Sequence, residues 1–131
     1  MAAEDVERVR SVYAAMARRD ADELAEAVAH DVEWTLPESL PWGGTHHGPD
    51  GIHAMVELHA DHVDGSWFDP DDFLDAGDRI VVLGRARGCV MATGEEFEVP
   101  FAHVWGLSDG VPSHFVGYLD TAPITAALRD T

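Results

Sequence analysis

One histidine sits in the middle of the most apolar alternation in the chain. The stretch FEVPFAHVWGL puts Phe97, Val99, Phe101, His103, Trp105 and Leu107 on one strand face, because strand side chains alternate. Of these only His103 can gain or lose a proton near neutrality, with an unperturbed pKa of about 6.5. A neutral imidazole in an apolar wall can donate a hydrogen bond to a carbonyl oxygen, or serve as acid or base. It can equally be a core histidine bonded to Tyr13 or to a backbone carbonyl. Tyr13 falls on the inward stripe of the first helix, so its hydroxyl needs a partner or a cavity. His103 and Tyr13 are therefore the candidate catalytic pair. Asp120 is a candidate additional acid, although its place before the last helix also suits an N-cap. Met16, Trp34, Phe101, Trp105, Phe115 and Leu119 are the candidate lining of an apolar ligand pocket, and ordinary core packing would use the same residues.

Other chemistries have weaker support. His46, His47, His53, His59 and His62 raise the question of a metal, and His59 and His62 share a helix face. Adjacent His46 and His47 diverge, however, and no Cys or Glu completes a known ligand spacing, so no metal site is expected. GGTHHG lacks the lysine and the strand-to-helix setting of a phosphate loop. No Ser, His and Asp order marks a triad. No cofactor is expected.

The elements that must hold His103 follow from periodicity. Val6, Val9, Tyr13 and Met16 predict a helix over residues 4–19. Asp20 and Glu23 predict a capping box that opens a short second helix. Val32 to Leu36 reads as a strand, and PESLPWGGTHHGPDG (residues 37–51) as a loop whose Trp42 either covers something or packs on the next helix. Pro49-Asp50 opens a third helix with Ile52, Met55, Val56, His59 and Val63 on its apolar stripe. Strands are predicted over 67–74, interrupted by Pro70, and over 79–91. In the latter the small face Gly84, Ala86 and Gly88 implies either a closely packed helix or an open cavity. Between Leu107 and Val111 a two-residue Asp109-Gly110 turn would align His114, Val116, Tyr118 and Asp120 with His103. A three-residue Ser108-Asp109-Gly110 loop would align Phe115, Gly117 and Leu119 instead. The second is favoured, because Phe115 and Leu119 extend the apolar wall. Asp120-Thr121 and Pro123 open a final short helix.

The chain has 131 residues, 46% of them hydrophobic, which suits one domain. No apolar run is long enough to span a bilayer, and the first residues lack a signal-peptide pattern. The single Cys89 permits no internal disulfide, so a reducing cytoplasm is expected. Twenty-five acidic residues face eight basic ones, all arginine, for a net charge of −17. Molar salt, with a Debye length of about 3 Å, would screen that repulsion. The acids are spread along the chain, so adaptation to a salty cytoplasm is preferred over an acidic surface for a basic partner. Nucleic-acid binding is excluded for want of clustered cations, and no membrane partner is expected.

Four segments carry a family likeness in order: RRDADEL closing the first helix, HDVEWTLP, GGTHHGPDGI, and PFAHVWGLSDG followed by YLDT. Together they resemble the SnoaL-like polyketide cyclase and ketosteroid isomerase group of the nuclear-transport-factor-like superfamily. The resemblance covers nearly the whole chain. It implies an α+β cone, a curved, mixed but mostly antiparallel sheet wrapped around the N-terminal helices with an apolar pocket inside. It also implies a homodimer through the outer sheet face. In the isomerases the general-base aspartate falls where this chain has Trp34, which cannot take a proton. A second acid, kept neutral to donate to the oxyanion, falls at His103, and the first-helix tyrosine falls close to Tyr13. In the cyclases a histidine at the His103 position works with an aspartate that falls here on Gly117. The expectation is a single SnoaL-like domain over residues 1–131 that holds a small apolar molecule, with isomerase- or cyclase-type chemistry on a carbonyl compound. The alternative is a non-catalytic ligand-binding or accessory domain.

Overall fold

The computed structural model describes residues 2–129. Helix α1 (Ala2–Arg18) buries Val9, Val12, Tyr13 and Met16, the stripe expected from its spacing. Arg19 then adopts φ 55°, and its guanidinium donates to the carbonyls of Val63 and Gly65, tying the helix end to the sheet. Helix α2 (Ala21–Ala27) starts at Asp20, whose carboxylate accepts from the amides of Asp22 and Glu23. The reciprocal half of the expected capping box does not form, since Glu23 pairs with Arg18 instead.

The strands are β1 (Glu33–Leu36), β2 (Gly44–His47), β3 (Val63–Asp75), β4 (Ile80–Val90), β5 (Glu96–Ser108) and β6 (Val111–Leu119). Helices α3 (Gly48–His62) and α4 (Ala122–Arg129) complete the set. The six strands form one curled sheet in the order β2-β1-β6-β5-β4-β3. Only β1 and β6 run parallel; the other neighbours are antiparallel. The α+β cone expected from the sequence is the architecture found. Strand β2 was not expected. Its four residues GTHH carry no strand pattern, and β1 supplies the pairing that makes them one, with Trp34 opposite His46.

The hairpin that carries His103 combines the two readings of its turn. Ser108 pairs with Val111, so the loop has two residues, Asp109 and Gly110, both with positive φ. That loop alone would turn Phe115 outward. A bulge then intervenes, because Leu107 pairs with Pro112 but Gly106 pairs with His114, leaving Ser113 over. The extra residue restores the register in which Trp105 faces Phe115, His103 faces Gly117 and Phe101 faces Leu119. The favoured loop length is thus corrected, while the face it was meant to explain is the observed one.

On the small face of β4 the two glycines are closely approached by neighbouring strands, while Ala86 borders the small void inside the cone. A Cβ on Gly84 would lie 2.2 Å from the Asp69 carbonyl and 2.8 Å from the Phe101 ring. One on Gly88 would lie 2.2 Å from Val63 and 2.9 Å from Phe97. The small residues let β3, an edge strand with bulges at Asp64/Trp67 and Pro70/Asp72, curl over the rings of β5.

Candidate functional site

The interior of the cone has a short polar chain at its centre. Trp105 Nε1 lies 3.0 Å from the Tyr13 hydroxyl, which lies 2.6 Å from His103 Nδ1. All three residues are buried, with His103 and Trp105 wholly inaccessible. An indole N–H can only donate, so Tyr13 accepts from Trp105. Among the described residues His103 Nδ1 is the one acceptor within reach of the Tyr13 hydroxyl proton, so we assign the hydroxyl as donor to Nδ1, which leaves the hydrogen of the neutral ring on Nε2. That nitrogen is buried and has no partner among the described residues. In this assignment the chain ends in a free donor.

The surroundings keep both titratable groups neutral. Burial pushes the Tyr13 hydroxyl well above its usual range, against a smaller opposing effect of the bond from Trp105. Burial alone holds His103 well below the usual histidine value. The ring stacks on Phe101 at 3.9 Å and takes the edges of Phe68 and Phe115 at 4.6 Å each. Such a group is a fixed hydrogen-bond donor rather than a base. Among the described residues the buried polar side chains are His59, His103 and Ser113, and no carboxylate joins them. Asp120 is exposed and accepts from the amide of Ala122 at the start of α4. Gly117 faces His103, and a Cβ there would sit 2.8 Å from Leu36 and 3.3 Å from His103 Cδ2. An aspartate at that position would have to displace Leu36.

The six residues expected to line a pocket are mostly packed against one another. Trp34 stacks on Phe115 at 4.3 Å and meets Trp105 edge-on at 5.3 Å, which fills the space the pocket would need. Met16 and Phe101 are buried with them. Leu119 alone of the six borders the apolar void inside the cone, which it shares with Leu36, Phe68, His59, Trp42 and others. The void is about 10 Å³, room for about one water. A wider cleft of about 620 Å³ lies on the rim between Arg87 and Glu98, open and polar and not bordered by His103.

Sequence reasoning placed His59 on the apolar stripe of the third helix and weighed it as a metal ligand, but did not count it among the site residues. It is 1% exposed on the inner face of α3, stacked on Trp67 at 3.9 Å and edge-on to Trp42 at 4.9 Å. Both of its ring nitrogens lack partners. Its position on the stripe Ile52, Met55, Val56, His59 was the available signal. The other histidines of that cluster disperse. His46 meets the Trp42 carbonyl, His62 the Leu58 carbonyl, and His53 pairs with Asp22.

The sequence pattern that defines the SnoaL-like domain matches residues 9–111. The chain belongs to the SnoaL-like family. Solved structures agree with that membership. This SnoaL-like protein is similar to an NTF2-like protein of Burkholderia pseudomallei K96243, with 33% identity over 96% of this chain and 98% of that one and a TM-score of 0.87. It is similar to TerC, co-crystallised with polyporic acid, at 26% identity over 97% and 99% of the two chains, TM-score 0.86. A protein of ketosteroid isomerase-like fold from Catenulispora acidiphila, in complex with trimethylamine, shares the fold at 17% identity over 90% and 88%, TM-score 0.80. No curated protein sequence matches the chain.

Proposed function

We propose that this SnoaL-like protein binds a small, largely apolar molecule through an oxygen that accepts a hydrogen bond from His103 Nε2. The observation that carries this reading is the unpartnered Nε2 at the end of the Trp105–Tyr13–His103 chain. A buried donor without a partner costs about 1–3 kcal/mol, and a ligand carbonyl would remove that cost. The co-crystallised small molecule of TerC supports the same use of the cone. The interior is nearly filled, so binding requires side chains around the void to give way.

Binding is favoured over proton abstraction because Trp34 and Gly117 stand where related enzymes place their bases. A catalytic version remains consistent with the neutral donor: His103 would polarise a carbonyl, with Tyr13 holding its tautomer, in a reaction whose proton acceptor the substrate brings. A homodimer in a reducing cytoplasm completes the proposal. Its basis is the outer sheet face, where Leu83, Ala102 and Tyr118 lie in one row across β4, β5 and β6. Tyr118 is 59% exposed there.

Calorimetric titration with a matched pair, benzophenone and diphenylmethane, tests the His103 reading. The wild type should prefer the ketone by roughly fivefold to tenfold, the worth of one hydrogen bond. His103→Phe should abolish that preference while retaining a cooperative melt. A His103→Phe variant that still prefers the ketone as strongly as the wild type would exclude His103 as the anchor.

A further inference from the structure

The unpartnered nitrogens of His59 form a second polar position in the same apolar interior. The His59 ring is held between two tryptophans, face-on to Trp67 and edge-on to Trp42, so its orientation is set. Trp67 has φ 73°, an outlier for so bulky a residue, at the β3 bulge that brings it onto the histidine. A neutral imidazole offers one donor and one acceptor. His59 is neutral at ordinary pH, its pKa pushed down to about 3 by burial first and by the charges of Arg19 and His62 next. The void it borders has room for about one water, which can satisfy one nitrogen but not both on opposite ring edges. Buried polar atoms left unpaired in this way call for a partner that comes and goes.

The two poles are joined by rings. His59 stacks on Trp67 at 3.9 Å, Trp67 stacks on Phe68 at 5.3 Å, and Phe68 meets His103 edge-on at 4.6 Å. We propose that His59 is a second ligand anchor, so that the site takes an elongated, mostly apolar molecule with a hydrogen-bonding oxygen at each end, one on His103 and one on His59. This rests on the His103 reading and adds the class of ligand to it. Leu40 and Trp42 border the void from the loop between β1 and β2 and are the side chains such a ligand displaces. Among the described residues two backbone turn bonds, Leu40 N to Pro37 O and Gly43 N to Leu40 O, lie in that loop, and His46 Nε2 meets the Trp42 carbonyl.

The test compares para,para′-dihydroxybiphenyl with para-hydroxybiphenyl by calorimetry on the full chain. The wild type should bind the diol tighter by roughly fivefold to tenfold, one further buried hydrogen bond. His59→Phe keeps the ring and its stack on Trp67, and should bind both probes alike with a melting temperature no lower than wild type. His59→Gln restores an acceptor and a donor and should recover the preference. Should the phenylalanine variant not fold, His59→Leu serves the same comparison. A preference that persists in His59→Phe, or its absence in wild type, would overturn the assignment. If neither biphenyl binds but benzophenone does, the second anchor fails and the His103 reading stands. If nothing binds, both fall.

Discussion

At the scale of single residues, the buried histidines make a stability statement as well as a functional one. His59 has its pKa lowered to about 3 and His103 is also lowered, both chiefly by burial. A folded pKa below the unfolded value of about 6.5 means that unfolding takes up a proton. The stability these neutral rings allow is present above pH 6.5 and is lost as pH falls toward the folded values. At pH 5 His59 costs about 2 kcal/mol relative to pH 7, and His103 adds a loss of the same sign. Chemical unfolding at the two pH values should show this loss, and His59→Phe should flatten the slope by about one proton. The 25 acidic residues also titrate, so the informative quantity is the difference between wild type and variant at each pH. An unchanged slope in the variant would mean that His59 is hydrated. His103 and Tyr13 were legible from parity and helical spacing. The free Nε2 was not, because a missing partner is a property of three dimensions.

At the scale of elements, the β5–β6 hairpin decides what shares a face with His103. A two-residue turn by itself gives the wrong parity, and the bulge at Ser113 corrects it. Deleting Ser113 should therefore remove the bulge and still leave Gly106 opposite His114 and Phe115 opposite Trp105, so the variant should keep Phe115 buried and melt cooperatively. Phe115→Ala should by contrast cost about 3–5 kcal/mol by chemical unfolding, against a total of about 5–15. A Ser113 deletion that loses its cooperative melt would show that the twist of the bulge, and not only the parity, is required. The turn was legible in Asp109-Gly110; the bulge was not, since Pro112-Ser113 reads as ordinary turn-flanking sequence. Likewise β2 exists because β1 offers an edge, and its own four residues do not announce it.

For the whole molecule, charge and the outer sheet face set the predictions. With a net charge of −17, thermal stability should rise steadily from dilute buffer into molar salt as repulsion is screened. Light scattering in that salt should give a dimer, and Tyr118→Glu should give a folded monomer. A wild-type monomer would exclude the proposed face. The sequence by itself determined the cone, because helix stripes and strand alternations are local patterns and the order of segments identifies the family. It also carries Trp34 and Gly117, neither of which can take a proton, at the positions where the family likeness implies carboxylate bases. Tertiary structure alone decided that the interior is nearly full, that Asp120 caps a helix outside it, and that His59 shares the core with His103. Those outcomes depend on which side chains reach the same volume, and that volume is assembled from β1, β3, β5, β6, α1 and α3, elements far apart in the chain.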